Sequence, residues 1–249
     1  MKEIITQVCV SNALKFFKKG LMERWNLVDY YNENLPCLFF GIYTNEALIN
    51  NHKGLKILYF SSPADTASIS EIVNSDNLFI IYTPYVTIPP YFKVKNIEFE
   101  LKDYSMFKPN ILGDKVYAYV GHISRYSEFN YNRILNIQQK INWEILLGEC
   151  LDEANIPTIN ECKEKYYDKC FVNLNLSHGT GLTTVRELAY MGRLTISNAL
   201  MNFPCFLKYD NDEHIIELIK QEANKIGTIQ PSINCHNIGD EWLCVDFWK

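Results

Sequence analysis

Two glycines, three threonines and one glutamate crowd into the stretch SHGTGLTTVRE of LSHGTGLTTVRELAYMGRLTISN, residues 176–198. The apolar run KCFVNLNLS before it predicts a strand, and a helix is expected to begin near Thr184. Gly179 and Gly181 permit a backbone path and a close approach that side chains would block. Free N–H groups at a helix start, together with the positive end of its dipole, form an anion site without any charged side chain. Thr183 and Thr184 add hydroxyl donors at the same place. In an open α/β sheet this strand end is also where ligands bind. The chemistry indicated is the holding of a phosphate or diphosphate.

Glu187 falls about one turn inside that helix. A carboxylate is a poor neighbour for a diphosphate but a good acceptor for sugar hydroxyls, so it can grip a ribose while the helix start holds phosphate. The same letters, Thr184-Val185-Arg186-Glu187, also spell a capping box, in which the glutamate only satisfies backbone N–H groups. Leu182, Val185, Leu188 and Ala189 form the buried face under both readings. Spacing alone leaves the two open.

The segment GTGLTTVRELAYMGRLTISN resembles the donor-binding segment of GT-B glycosyltransferases, two-domain enzymes that use nucleotide-sugars. In that family a strand leads to a Gly-rich loop, a helix with a glutamate, an A-x-G-like step and a strand. Gly181, Glu187, Ala189, Gly192 and LTIS stand at those places. The resemblance implies that Glu187 contacts the donor ribose and that Gly181, Leu182, Thr183 and Thr184 line the diphosphate. Retaining members carry a further glutamate eight positions before the second. Here Gly179 occupies that position, so Gly179 is a donor-side residue and His178, one residue earlier, a catalytic candidate.

A second landmark of the family is the loop after the first strand of the second domain, here YVGHISRYSEFNYNR. Gly121, His122 and Arg125 occupy the positions of a phosphate-neutralising loop, with Arg133 a more distant candidate. A departing nucleoside diphosphate gains negative charge, and a cation there stabilises it. Solvated surface charge is the competing reading for Arg125 and Arg133. The first half, FFGIYTNEALINNHKGLKILYFSSPAD, more loosely resembles the opening domain of short glycosyltransferases from viruses and surface-sugar gene sets. Gly41, Tyr43 and Ser61–Asp65 would then lie at strand ends, with Asp65 as a base or a binder of acceptor hydroxyls. A polar turn after Pro63 is the competing reading of Asp65, and the favoured one. His52, just before Gly54, suits a helix C-terminal dipole.

The elements that must position these residues alternate. Strands are predicted at LPCLFFGIYT, LKILYF, NLFIIYT, KVYAYVG, NWEILLG, KCFVNLNLS, RLTIS and FPCFLKY. Helices are predicted at NALKFFKKGLMERW, NEALINNHKG, ISEIVNS, NRILNIQQKI and EHIIELIKQEANKIG. Alternation of this kind predicts an α/β protein with parallel sheets. The expected architecture is two Rossmann-like domains facing a cleft, residues 1–106 and 114–230, joined by a polar linker within 102–114. The segment 231–249, with Trp242, Phe247 and Trp248, is expected to pack back on the first domain.

Bulk properties narrow the rest. The net charge of −5 gives no overall pull towards nucleic acid. Eight cysteines include no C-x-x-C pair, and Cys235-His236 with Cys244 fits zinc spacings poorly. Asp210-x-Asp212 precedes a helix, where Asp212 reads as an N-cap, so no metal is expected. No leader and no apolar run of membrane-spanning length is recognised. A cytoplasmic location is expected, in the host cytoplasm if the chain is viral. The leading expectation is a metal-independent hexosyl- or pentosyltransferase. Its substrate is a nucleotide-diphosphate sugar, with no further cofactor. The preferred acceptor is a glycan or protein, with a modified DNA base also considered. A non-catalytic nucleotide or glycan binder, or a nucleotide-sugar epimerase or hydrolase, is the alternative.

Overall fold

The computed structural model describes residues 5–9, 27–28, 30–40, 46–60, 75–82, 86, 88, 90, 95–98, 104, 106–121, 126–149, 159–177, 182–199 and 203–234. The described chain divides into two compact units, one within residues 1–103 and one spanning Tyr104–Cys235. The expected helices near residues 12–25 and 69–75 and the tail segment with Trp242, Phe247 and Trp248 lie outside the described residues, wholly or nearly so.

The first unit is a six-stranded parallel sheet. Its strands are β1 (Ile5–Cys9), β2 (Leu27–Val28), β3 (Cys37–Phe40), β4 (Lys56–Phe60), β5 (Leu78–Tyr82) and β6 (Lys95–Glu98). Their spatial order is β2-β1-β3-β4-β5-β6. Near-continuous apolar runs such as KILYF and LFIIY are what a sheet covered on both faces requires. Helix α1 (Glu46–Asn51) lies in the crossover from β3 to β4, and its Ile49 joins Phe39, Leu58, Phe60 and Ile80 in the core.

His52, one residue past α1, is not the dipole partner that its place in the sequence suggested. Its side chain is buried, with Nδ1 3.0 Å from the Tyr31 hydroxyl and the Phe39 ring edge-on against it. Burial holds its pKa below the usual histidine range, and the nearby Lys56 pushes the same way, so the ring is kept neutral.

The second unit is a five-stranded parallel sheet of β7 (Lys115–Gly121), β8 (Ile145–Glu149), β9 (Cys170–Leu174), β10 (Leu194–Ile196) and β11 (Phe206–Leu207), in the order β11-β10-β9-β7-β8. Among the described residues four helices accompany it: α2 (Tyr131–Gln138), α3 (Ile159–Lys165), α4 (Leu182–Tyr190) and α5 (Asp212–Ala223). A strand alternates its faces, and β7 shows the consequence. Val116, Ala118 and Val120 meet Ile134 and Ile137 of α2 and Ile215, Leu218 and Ile219 of α5. Tyr117 turns the other way, to Tyr166, Tyr167, Leu188 and Met191. Helices therefore cover both faces.

The stretch expected as a polar linker belongs to this unit. Tyr104, Phe107 and Leu112 are buried, Tyr104 stacks on Tyr190 at 4.8 Å, and Leu112 N–H donates to the Thr228 carbonyl at 2.8 Å. Its polar letters hide apolar side chains that fill the tyrosine-rich side of the sheet. Helix α5 also differs in detail: Asn211 is its N-cap, accepting from the His214 N–H at 2.9 Å. Asp212 instead occupies the first turn. Among the described residues no helix is long and apolar enough to cross a membrane.

Helix α4 stops because Gly192 takes a φ of +83°. Gly192 N–H donates to the Ala189 carbonyl and Arg193 N–H to that of Leu188, the paired bonds of a Schellman end. A Cβ at Gly192 would lie 2.4 Å from the Gln230 carbonyl oxygen. Gly192→Ala is expected to lower stability by more than about 2 kcal/mol, since strain and overlap add; urea unfolding would measure it. His52 gives a pH test. Its folded pKa lies below the unfolded value of about 6.5, so the unfolded chain takes up the proton first. That stability is full above pH ~6.5 and is lost on acidifying through the folded pKa. The fall in melting temperature between about pH 7 and pH 5 should be smaller in His52→Gln than in wild type.

Candidate functional site

In the second sheet β7 and β9 are neighbours, yet β8 lies on one side of the pair and β10 and β11 on the other. The chain leaving β7 returns through α2 on one face of the sheet. The chain leaving β9 returns through α4 on the opposite face. Connections that diverge in this way open a crevice at the carboxyl ends of the two strands, the place where open parallel sheets bind ligands.

Both walls of that crevice have described residues. Gly121 ends β7 at φ +64°, and a Cβ there would press to 3.2 Å from the Phe129 ring. The turn that follows ends at Asn130, itself left-handed at φ 54°, whose Nδ2 donates to the Leu176 carbonyl at 2.8 Å. This bond ties the turn after β7 to the loop after β9. Tyr126 ties the same turn to β8, its hydroxyl donating to Glu149 Oε1 at 3.0 Å with its ring stacked on Tyr131. Burial, and then Glu149, push the Tyr126 phenol up to about 12. On the β9 side, Asn175 Oδ1 accepts from both the N–H and the hydroxyl of Ser177, at 3.0 and 2.7 Å. Asn173 reaches across to Thr195 of β10 at 3.1 Å.

Helix α4 begins beyond that loop. Leu182 is buried, and its carbonyl accepts from Arg186 Nε at 3.3 Å. Thr183 is half-buried in the first turn. Thr184 and Glu187, three residues apart, share one face, and that face turns inward. Glu187 is only 4% exposed, and its Oε2 accepts from the Tyr167 hydroxyl at 2.6 Å. Thr184 is also buried. Tyr167 lies in the 3-10 turn Tyr167–Lys169 just before β9. Burial, first, and neighbouring Cys162 hold its pKa well above the ordinary tyrosine range, with Thr184 acting in the opposite direction.

One local alternative is settled. The helix already runs from Leu182, so Thr184 is not its cap and Thr184-to-Glu187 is not a capping box. Arg133 Nε donates to Asp212 Oδ1 at 2.7 Å, and its guanidinium sits 5.1 Å above the Tyr209 ring. Asp210 Oδ2 lies 3.3 Å from His214 Nδ1. Asp65, His122, Arg125, His178, Gly179 and Gly181 lie outside the described residues, as do Gly41, Tyr43 and Ser61.

Tyr167, Asn130 and Asn175 were not among the sequence candidates. The left-handed Asn130 carries a weak local signal, since Asn tolerates that conformation. Tyr167 stands twenty residues before Glu187 in a chain rich in tyrosine, and nothing near it in the sequence marks it.

No family model matches the chain, and no curated protein matches it. Among solved structures, the ligand-free, open structure of a substrate binding protein with adhesive properties from Clostridium difficile is similar at 15% identity. The match covers 98% of this chain and 93% of that one, with a TM-score of 0.26. At that score the superposition supports no statement about fold or function.

The Asn130 bond separates backbone strain from cross-loop bonding. Asn130→Gly keeps the left-handed turn but loses the bond to Leu176, whereas Asn130→Ala loses the bond and strains the turn. The expected costs are about 1 kcal/mol for glycine and about 1 kcal/mol more for alanine, read from chemical denaturation of the two variants. Equal losses would remove the turn conformation from the account.

Proposed function

We propose that the protein is a GT-B-type glycosyltransferase that moves a hexosyl or pentosyl group from a nucleotide-diphosphate sugar to a glycan or protein acceptor. The observation that carries this reading is the placing of the α4 start at the carboxyl end of β9, beside the divergence between β7 and β9. A diphosphate needs N–H donors at a helix start, and Gly179 and Gly181 stand just before Leu182 in the sequence. Thr183 is the described hydroxyl at that turn. Gly121 opens the opposite wall, and His122 and Arg125 follow it in sequence.

In the reaction the acceptor hydroxyl bonds to the anomeric carbon as the bond from that carbon to the diphosphate oxygen breaks. The acceptor proton passes to a base, for which Asp65 is the candidate, with His178 beside the donor. Charge gathering on the leaving diphosphate is met by the helix start and by Arg125. Glu187 accepts hydroxyls of the ribose. No step calls for a metal. A cytoplasmic setting, in a host cell if the chain is viral, belongs to the same reading. Gly179 at the place of the first motif glutamate supports a second reading, a binder of nucleotide or glycan without turnover.

Thermal melting with a panel of nucleoside diphosphates and nucleotide-sugars tests the donor site. A saturating ligand at about one hundred times its Kd should raise the melting temperature by about 5 °C or more, for one base over the others. No shift with any nucleotide would sink the transferase and the nucleotide-binder readings, leaving only a glycan binder. Release of nucleoside diphosphate that requires an acceptor and survives EDTA would separate the transferase from the binder.

A further inference from the structure

We propose that His52 is an acid-sensitive latch: neutral, it holds the turn of residues 30–35 closed at the amino ends of β3 and β4, and protonated, it lets that turn open. The inference concerns the first unit alone and stands apart from the donor-site reading.

The turn is fastened to the α1–β4 connection at few points. The Glu33 carbonyl accepts from the N–H groups of Lys53 and Gly54, at 2.8 and 2.9 Å. Lys53 Nζ also pairs with the Glu33 carboxylate, but both side chains are largely exposed, where such pairs contribute little. A Cβ at Gly54 would lie 2.4 Å from the Leu35 carbonyl oxygen, so the two backbones touch. From the other side, Asn77 Nδ2 donates to the Lys53 and Gly54 carbonyls at 3.1 and 2.7 Å. The 53–54 step is therefore anchored from the start of β5 whether or not the turn is closed. Tyr30 and Tyr31 of the turn are 55% and 38% exposed. Exposed side chains and few backbone bonds mark a segment that opens locally.

His52 lies beneath this turn, with the Tyr31 ring at 5.6 Å and the Phe39 ring at 5.5 Å. While the imidazole is neutral, the Tyr31 hydroxyl can donate to Nδ1. Nε2 has no hydrogen-bond partner among the described residues. A proton on Nδ1 makes both nitrogens donors, so the phenol must turn round and a charge is left in a buried place. Among the described residues no carboxylate pairs with the ring. Lys56 of β4, itself buried with Nζ 3.0 Å from the Asn50 carbonyl, opposes the new charge. Glu33 of the turn and the Leu35 and Leu55 carbonyls favour it, and Tyr31 is the titratable group in direct contact. Burial outweighs them and holds the His52 pKa below the ordinary histidine range. Phe39 belongs to the core of the sheet and cannot move aside. The turn can, and its opening brings water to the ring for the loss of two backbone bonds and one surface ion pair.

Residue-resolved amide hydrogen exchange of the full chain tests the latch at about pH 7.5 and pH 5.5, with rates corrected for the intrinsic effect of pH. The Lys53 and Gly54 amides should exchange about tenfold or more faster than amides within β4, and should respond little to dilute urea, as local openings do. Their protection should fall by up to about tenfold between the two pH values, the limit for a histidine that titrates near 6.5 once exposed. In His52→Gln the fall should be less than about twofold. Exchange of these two amides at the rate of β4 overturns the latch, because the turn then opens only with the whole sheet. An equal pH response in wild type and variant overturns it as well. Should His52→Gln fail to fold, Tyr31→Phe carries the test. Loss of the phenol from Nδ1 should lower Lys53 and Gly54 protection at pH 7.5 by about threefold or more, and unchanged protection overturns the role.

Discussion

The guanidinium of Arg193 has no exposed surface, and it joins three segments of the second unit. Its Nε donates to the Cys170 carbonyl, one Nη to that of Met191 and the other to that of Ile111. Taking a cation out of water costs several kcal/mol, and carbonyl acceptors offset that only when they are held in place. Burial accordingly lowers its pKa, against the opposite pull of Cys170 and Asp168. The same burial raises the Cys170 thiol to about 12 even beside the cation. Three stretches far apart in sequence must therefore converge for the charge to be tolerated. They are the chain leading into β7, the start of β9 and the end of α4.

That convergence lies at the amino ends of β9 and β10, opposite the ligand end of the sheet. Gly192, immediately before Arg193, turns the chain so that the guanidinium reaches inward while the Gln230 backbone closes over the turn. With its far end locked by the Schellman bonds and by Arg193, α4 has a fixed axis, and its start is aimed at the carboxyl end of β9. The Met-Gly-Arg step thus secures the end of the helix.

Much of this was legible in the letters. LKILYF, NLFIIYT, KVYAYVG and KCFVNLNLS are strands because a parallel sheet covered on both faces needs unbroken apolar runs. EHIIELIKQEA is a helix because its isoleucines recur at helical spacing, and Ile215 and Ile219 are indeed buried. Strand β1 was missed, since Thr6 and Gln7 break the run ITQVC and its pairing with β2 and β3 is non-local. Residues 104–112 were misread because polarity was averaged over the stretch, while Tyr104 and Phe107 alone decide where it packs. Within the site, the threonine-to-glutamate spacing showed a shared helix face but not which way it turned. The partner that fixes that direction, Tyr167, is contributed by another element, and local periodicity carries no information about it.

The burial of Glu187 bears on its role through cost. A hydrogen bond to the Tyr167 phenol is available to a glutamine as well, and a neutral amide loses far less on leaving water than a carboxylate does. A carboxylate differs from the amide in accepting at both oxygens and donating at neither. The desolvation cost is met in advance by the phenol and by the folded surroundings of α4, both in place before any ligand arrives. The acid at position 187 is tolerated in this buried place because the Tyr167 phenol and the folded surroundings of α4 together offset its loss of water.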